Sequence, residues 1–540
     1  MGTTRVMAAV LAAGLGVTAC SVGADPAPSG PDLDPRSYYE DYDAQIDRDS
    51  AAGGAHAPVA VDASSGDSAE AGPDVLPPEP GFLDDNVFVD VGDPGWVQTA
   101  SDRESTFALD VDTGSFSVAR TFVDNGHRPE PDSIRIEEWV NSFDYGDPAP
   151  TDGALGLTVE SAASPRGGEG TTTVRVGVST EQLSAEDRPA ANVTFVIDTS
   201  GSMNIRERLG LVQSSLALLA TNLRPDDTIA IVVYGSDAEP LLVPTPVSEL
   251  ASIVEAIEAL EPGGSTNMEA GLLLGYEQAR ESYDPEAVNV VVLASDGVAN
   301  VGVTDPAVLT DQITRASDEG IHLVTVGYGM GNYNDRLMEQ LANQGNGFYS
   351  YVDTFEEAER LFVDELTPTL HVVAYDTKAQ VVFDEEQVER YRLIGYENRR
   401  LDDSDFTDDA VDAGELGAGH QVSALYEVQP VNDAAPGQQL GTVSLRWADR
   451  AGGEATQLDA AISWPGAEAS SSLRLAALVS DTAELLKGTS TAADRGFTLA
   501  DLQAEAEHLA QLEVNGAAEA LAFLESAQAA GPTGPPGDED

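Results

Sequence analysis

Asp198, Ser200 and Ser202 alternate in the stretch Val193-Thr-Phe-Val-Ile-Asp-Thr-Ser-Gly-Ser-Met203. A carboxylate and two hydroxyls on one short loop are hard oxygen donors. Hard cations such as Mg2+ and Mn2+ take such oxygens, together with water, in octahedral geometry. The run before them, Val193 to Ile197, is short, unbroken and apolar, which fits a strand buried on both faces. The donors then fall at the carboxyl edge of a sheet, where open α/β sheets bind their ligands. Taken alone, the stretch has a second reading. Asp and Ser are also preferred helix caps, so the loop could be a Ser-rich turn that only opens the next helix.

Two further stretches add donors of the same kind. Pro262-Gly-Gly-Ser-Thr-Asn-Met268 precedes a helical run and places Thr266 at its start. Asn289-Val-Val-Val-Leu-Ala-Ser-Asp-Gly297 is a second buried strand, ending in Asp296 and a turn glycine. Asp-x-Ser-x-Ser, a distal Thr after Gly-Gly-Ser, and Ser-Asp-Gly after an apolar strand, in that order, resemble the von Willebrand factor type A domain and its metal-ion-dependent adhesion site. The resemblance implies five metal-site positions: Asp198, Ser200, Ser202, Thr266 and Asp296. It implies that the hydroxyls contact the metal and that the aspartates act directly or through water. It also implies that a carboxylate of a protein partner often completes the shell. Two carboxylates and several neutral oxygens leave a divalent cation able to take one more anionic ligand. The expected ion is Mg2+ or Mn2+, with Ca2+ less favoured in an octahedral oxygen site.

The elements that must hold these residues follow from apolar periodicity. Strands are predicted at Thr228 to Tyr234, Val288 to Ala294, Ile321 to Val326 and Phe348 to Val352. Helices are predicted at Arg208 to Leu223, Val247 to Leu260, Met268 to Arg280, Arg336 to Ala342 and Phe355 to Val363. Alternating strands and helices predict an α/β fold with a doubly wound, mostly parallel sheet over residues 191–365.

Around it the texture differs. Leu155 to Ser161 and Thr172 to Ser179 alternate like antiparallel strands, as do Lys378 to Phe383, Gln421 to Val428, Leu440 to Trp447 and Gln457 to Trp464. These predict a β-sandwich-like domain interrupted by the α/β insert, with flanking strands in 151–190 and a C-terminal β module with helices over 366–530. Those helices are expected at Ser472 to Leu486 and Leu499 to Ala527, before a flexible tail over 531–540. The segment Asp110 to Tyr145, and the stretches Arg390 to Arg399 and Asp412 to His420, resemble the N- and C-terminal modules that flank the type A domain in a family of bacterial lipoproteins, the first within a module over 101–150. Asp110, Asp112 and Gly114 alternate as in a calcium loop, but the later acidic ligands are missing, so a turn is expected there.

Composition excludes several partners. The 540 residues carry 27 Lys+Arg against 93 Asp+Glu, a net charge of −66. No nucleic-acid surface is expected from such a chain, nor electrostatic attachment to anionic lipid. Cys20 is the single cysteine, so no intrachain disulfide can form. It follows an apolar run, Val6 to Val17, of signal-peptide length and too short to span a bilayer. The junction Val17-Thr-Ala-Cys20 resembles a bacterial lipoprotein signal. That implies a signal peptide over 1–19, a lipid anchor on Cys20, and a cell-envelope protein held at a membrane outside the cytoplasm. A secretory peptide cleaved near Cys20 without lipidation is the other reading. Residues 20–100 are rich in Pro, Gly, Ala, Ser and Asp and read as a disordered acidic tether. Its cluster Tyr38-Tyr-Glu-Asp-Tyr42 reads as a solvated piece of linker.

No pair of the six histidines has zinc-protease spacing, and there is no phosphate loop or nucleophile elbow. His322 and His420 read as structural. The chain is therefore expected not to be an enzyme. Two roles remain: a tethered module that binds a protein partner through its metal, or an envelope assembly scaffold in which the metal is structural.

Overall fold

The computed structural model describes residues 33–42, 88, 92, 95–109, 111–168, 170–184, 188–296, 306–329, 335–365, 371–411, 413–431, 437–450, 452–464 and 468–531. Cys20, the signal peptide, most of the tether, Asp110, Gly297 and nearly all of the tail lie outside these. Among the described residues no helix is long and apolar enough to cross a membrane.

In chain order, a short helix α1 (Pro35–Glu40) precedes strands β1 (Val97–Gln98) and β2 (Glu104–Ala108). Helices α2 (Gly114–Asp124) and α3 (Ile136–Asn141) follow, then β3 (Leu155–Ala163) and β4 (Thr172–Thr180). The insert supplies β5 (Ala191–Asp198), α4 (Leu211–Asn222), β6 (Thr228–Tyr234), β7 (Ala238–Pro246), α5 (Leu250–Glu258), α6 (Met268–Glu281) and β8 (Val288–Ser295). It ends with α7 (Pro306–Asp318), β9 (Ile321–Tyr328), α8 (Asp335–Gln344), β10 (Tyr349–Val352) and α9 (Phe355–Glu359). Seven strands then return: β11 (Val372–Phe383), β12 (Val388–Ile394), β13 (Arg400–Leu401), β14 (Gly414–Gly417), β15 (Gln421–Pro430), β16 (Gln439–Ala448) and β17 (Ala455–Ser463). Four helices close the chain: α10 (Ser471–Lys487), α11 (Ser490–Arg495), α12 (Leu499–Gln511) and α13 (Ala517–Ala529).

The insert is the doubly wound sheet, with strand order β10-β9-β8-β5-β6-β7. Every pairing is parallel except that of β7, which runs antiparallel to β6 at the edge. One face is covered by Leu216, Leu219, Ile253 and Phe362, the other by Leu272, Tyr276, Ile313 and Leu341. With apolar layers on both sides, the central strands must be apolar throughout, and β8 is buried at all eight positions. The edge strand β7 is half exposed and carries Pro240, Pro244 and Pro246. Prolines blunt an edge against further pairing and also hide the strand from periodicity.

The other strands form the sandwich. One sheet runs β1-β12-β15-β4-β3, and the second runs β13-β2-β11-β16-β17 with β14 beside β11. Val176, Leu393 and Tyr426 of the first meet Phe107, Val381 and Leu445 of the second. Strands from before and after the insert sit side by side, since β4 pairs with β15 over eight residues. The outer face of the first sheet is covered by a helical layer in which Phe116, Trp139, Phe143 and Phe523 pack edge to face or tilted. The N-terminal module and the C-terminal helices therefore share one core.

Buried ion pairs weld the insert to this body. Arg120 of α2 reaches Asp353 at 2.6 Å, Glu357 at 2.9 Å and Glu519 of α13 at 3.1 Å. Asp112 accepts a hydrogen bond from the Tyr349 N–H at 2.8 Å and pairs with Arg399 at 3.0 Å. The expected turn at Asp112 is thus a buried strut between modules.

Two expectations are corrected. The tether is not featureless: Leu33, Tyr38, Tyr39 and Tyr42 pack against the core of the insert. Asp34 caps α1, the Arg36 guanidinium lies 4.0 Å from the Phe355 ring centre, and Arg206 lies 4.8 Å over Tyr39. The tyrosines supply enough apolar area to dock a six-residue helix that would not persist alone. Val97–Gln98, also assigned to the tether, pairs with β12. The second correction is the single helix expected over Leu499 to Ala527. It is two helices, because Glu513 and Gly516 take left-handed backbone at φ 56° and 77°.

Three outcomes test this architecture. Arg120→Met leaves Asp353 buried without its cation and Glu357 with Arg360 alone, and should cost about 3–5 kcal/mol in urea unfolding. Arg315→Ala, which removes an exposed pair with Asp311, should change stability by less than about 0.5 kcal/mol. Replacing Tyr39 and Tyr42 together by Ala should raise amide exchange across residues 33–42 and leave the sheet of the insert protected; unchanged exchange would refute the docking.

Candidate metal centre

Asp198 is the last residue of β5, and Asp296 directly follows the last residue of β8. These strands are hydrogen-bonded neighbours in parallel, so their carboxyl ends bring both carboxylates to one edge. Both residues are 0% exposed. Asp198 is held from two sides. Its Oδ1 accepts the Ser200 N–H at 2.8 Å, the two-residue turn that Asp favours, and its Oδ2 accepts the Ser295 hydroxyl at 3.1 Å. That turn brings the Ser200 and Ser202 hydroxyls within 2.9 Å of each other.

The loop carrying Thr266 is stitched to this turn through the backbone. The Gly263 N–H donates to the Thr199 carbonyl at 2.5 Å, and the Gly201 N–H to the Gly264 carbonyl at 3.3 Å. Thr266 itself is buried. The close approach requires glycine. A Cβ on Gly235 would lie 2.8 Å from the Gly263 carbonyl oxygen, and Gly264 has φ +87°. Asn267, one residue further than Thr266, caps α6 by accepting from the Ala270 N–H at 3.2 Å. The five sequence-derived positions therefore lie on three bonded loops or strand ends at one edge of the sheet.

The helix expected from Arg208 begins differently. A 3-10 turn, Gly201–Met203, is followed by a π-helical turn, Arg206–Gly210, and regular α-helix starts only at Leu211. The wide turn carries Arg208 inward. Its Nη1 donates to the Ser202 carbonyl at 2.7 Å and to Asp296 Oδ2 at 2.8 Å. Sequence reasoning treated Arg208 only as the start of a helix. The available signal was a basic residue just ahead of the apolar Leu209 and Leu211, in a chain with few basic residues.

Electrostatics make this edge receptive to a cation. Burial, with the charge of Asp296 added, pushes the Asp198 carboxyl well above the usual carboxylate range. Asp296 Oδ1 is sealed from solvent and has no hydrogen-bond partner among the described residues. A buried carboxylate oxygen without a donor is costly, and a hard cation satisfies it. Two carboxylates and three hydroxyls fit Mg2+ or Mn2+ in donor chemistry. His322 and His420 lie elsewhere in structural settings. His322 Nδ1 lies 3.0 Å from the Asn346 carbonyl. His420 Nδ1 accepts the Gly417 N–H at 3.1 Å, and burial lowers its pKa to about 4.

Comparison with known proteins agrees with this topology. Residues 192–364 match the family described as von Willebrand factor type A domain, and residues 83–171 match the one described as von Willebrand factor. Residues 368–529 match the family described as Uncharacterized protein YfbK, C-terminal. The Escherichia coli (strain K12) protein named Uncharacterized protein YfbK is 41% identical over 359 residues, 65% of this chain and 61% of that protein. The match thus spans less than two thirds of that relative. Uncharacterized protein sll0103 of Synechocystis sp. is 25% identical over 303 residues, 53% of this chain and 68% of that protein. Among solved structures, a von Willebrand factor type A protein from Catenulispora acidiphila is 16% identical, with TM-score 0.40, over 67% of this chain and 88% of its own. The chain carries a von Willebrand factor type A domain, set between N- and C-terminal modules similar to those of YfbK.

Proposed function

We propose that this is a lipid-anchored cell-envelope protein whose type A domain holds a protein partner through a divalent cation. The observation that carries the reading is the pair of buried carboxylates at adjacent strand ends, with Asp296 Oδ1 lacking a donor among the described residues, beside Asp198 and the Ser200–Ser202 hydroxyls. Asp198, Ser200, Ser202, Thr266 and Asp296 would hold Mg2+ or Mn2+. When bound, the cation supplies a bridge from these oxygens to a carboxylate of the partner. The position of the edge supports this. The insert joins the sandwich near Pro189 and His371, by the amino ends of β8 and β9. The metal loops sit at the carboxyl ends of the same sheet, away from that junction.

The anchor rests on the apolar run before Cys20, which also supports placement in the envelope outside the cytoplasm. The chain is not proposed to be an enzyme. Both acids at the edge are engaged as ligands or by Arg208 and Ser295, and a hydrolase would want a further general base beside its activated water. The scaffold reading, with a structural metal, is favoured by one observation: Arg208 already braces the metal loop against Asp296.

Calorimetric titration of Mg2+ and Mn2+ into the full chain carrying Cys20→Ser, beside the same chain with Asp198→Ala, separates these. One-site binding lost in the variant, with metal-dependent partner capture also lost and the fold intact, supports adhesion. If Asp198→Ala instead lowers Tm as far as metal removal does, without changing partner capture, the metal is structural. No binding by the intact chain, with or without added acetate, would sink the metal reading.

Asp198→Asn gives a pH test. A carboxyl raised in the folded state contributes stability that is complete below its unfolded value of about 4 and is lost as pH rises through its folded value. Without metal, Asp198→Asn should therefore be more stable than the parent at pH 8. The gap should close as pH falls toward about 4. Added Mg2+ should stabilise the parent alone.

A further inference from the structure

We infer that Arg208 is the specificity-determining residue of this centre: a built-in cation that makes the metal-loaded site require an anionic ligand. The inference rests on the metal-binding reading and adds to it a residue and a partner chemistry. Arg208 is 3% exposed and donates from one nitrogen to both the Ser202 carbonyl and Asp296 Oδ2. It is also fixed by shape. A Cβ on Gly329, just beyond β9 and at φ +69°, would lie 2.5 Å from Arg208 Cγ and 2.6 Å from Nε. Only glycine leaves space for the side chain there, so the guanidinium lies in a slot and cannot readily swing out when a metal arrives.

Charge counting gives the consequence. Asp198 and Asp296 bring two negative charges and Arg208 one positive, a sum of −1 in a buried setting. The neighbouring Arg206–Glu207 pair, at 2.6 Å, is self-neutralising and largely solvated. A divalent cation changes −1 to +1, and one carboxylate returns it to zero. Without Arg208, the metal alone would neutralise the two aspartates and an acidic ligand would leave an excess negative charge. Arg208 should therefore weaken the metal by itself and couple its binding to an acid. By linkage, metal and carboxylate each tighten the other by the same factor. The partner chemistry is an Asp or Glu side chain presented on a protein surface.

The test is titration of Mg2+ into the full chain carrying Cys20→Ser, with and without acetate as the carboxylate probe, for the parent and for Arg208→Met, Arg208→Gln and Arg208→Lys. Circular dichroism checks each fold. In the charge-removing variants Mg2+ alone should bind on the order of 10- to 100-fold more tightly, and acetate should no longer tighten it. Arg208→Lys should keep the parent's acetate dependence. Either neutral variant suffices if the other does not fold. Equal Mg2+ affinity and equal acetate effect in the parent and a folded neutral variant would overturn the inference while leaving the metal site standing. No saturable Mg2+ binding by any of the chains would overturn the metal reading and this inference with it.

Discussion

Two aspartates placed side by side, out of water, at the ends of neighbouring parallel strands are the constraint around which this molecule is built. Like charges in a medium of low dielectric repel strongly, and each loses its hydration. The surroundings answer with directed groups: the Ser200 N–H and Ser295 hydroxyl on Asp198, and Arg208 on Asp296. Asp296 Oδ1 has no donor among the described residues. The compensation is enough to hold the edge together and incomplete enough to receive a cation. A fully satisfied pair would have less use for a metal.

The rest of the fold keeps that edge in place. The insert leaves its host after β4 of one sheet and re-enters it at β11 of the other, at the end of its own sheet opposite the metal loops. Rigidity then depends on lateral contacts. These are apolar and ionic together: Val118 and Phe122 of α2 sit in the core of the insert, and Arg120 of the same helix bridges two acids of the insert and one of the C-terminal helices. Within the host, Arg175 pairs with Asp147, and Arg392 with Glu427 and Glu484, all buried. Of the 27 basic residues all but Lys378 and Lys487 are arginine. A planar guanidinium satisfies several carboxylate oxygens at once and is more weakly hydrated than an ammonium, so it suits buried pairs.

The core strands of the insert were legible in the sequence because each is buried on both faces and reads as one apolar run. Thr228 to Tyr234 was bounded to the residue. The loops were legible because their donors alternate. What escaped was whatever depends on partners distant in sequence. Edge strand β7 carries prolines and half-exposed residues, and its existence rests on pairing with β6. The docking of Tyr39 and Tyr42 needs a groove made by a helix some 170 residues away. Arg208 looks like any helix surface cation until the π turn points it inward. The break at Gly516 needed a backbone angle that helix-forming neighbours concealed.

The strongly acidic surface sharpens the question of how such a chain holds anything. At −66 its long-range field repels acidic partners, yet salt confines that repulsion to about 8 Å. Inside that range the local charge decides, and on the proposed reading a metal beside Arg208 would make one patch positive on an otherwise negative body. An acidic partner that reached such a patch would gain a short-range bond that salt screens little, because the site is buried. A basic partner would be drawn by the surface as a whole, with no preference for this edge. On that reading, selectivity for the metal edge would come from the contrast between patch and surroundings. That contrast is larger in a chain this acidic than it would be in a neutral one.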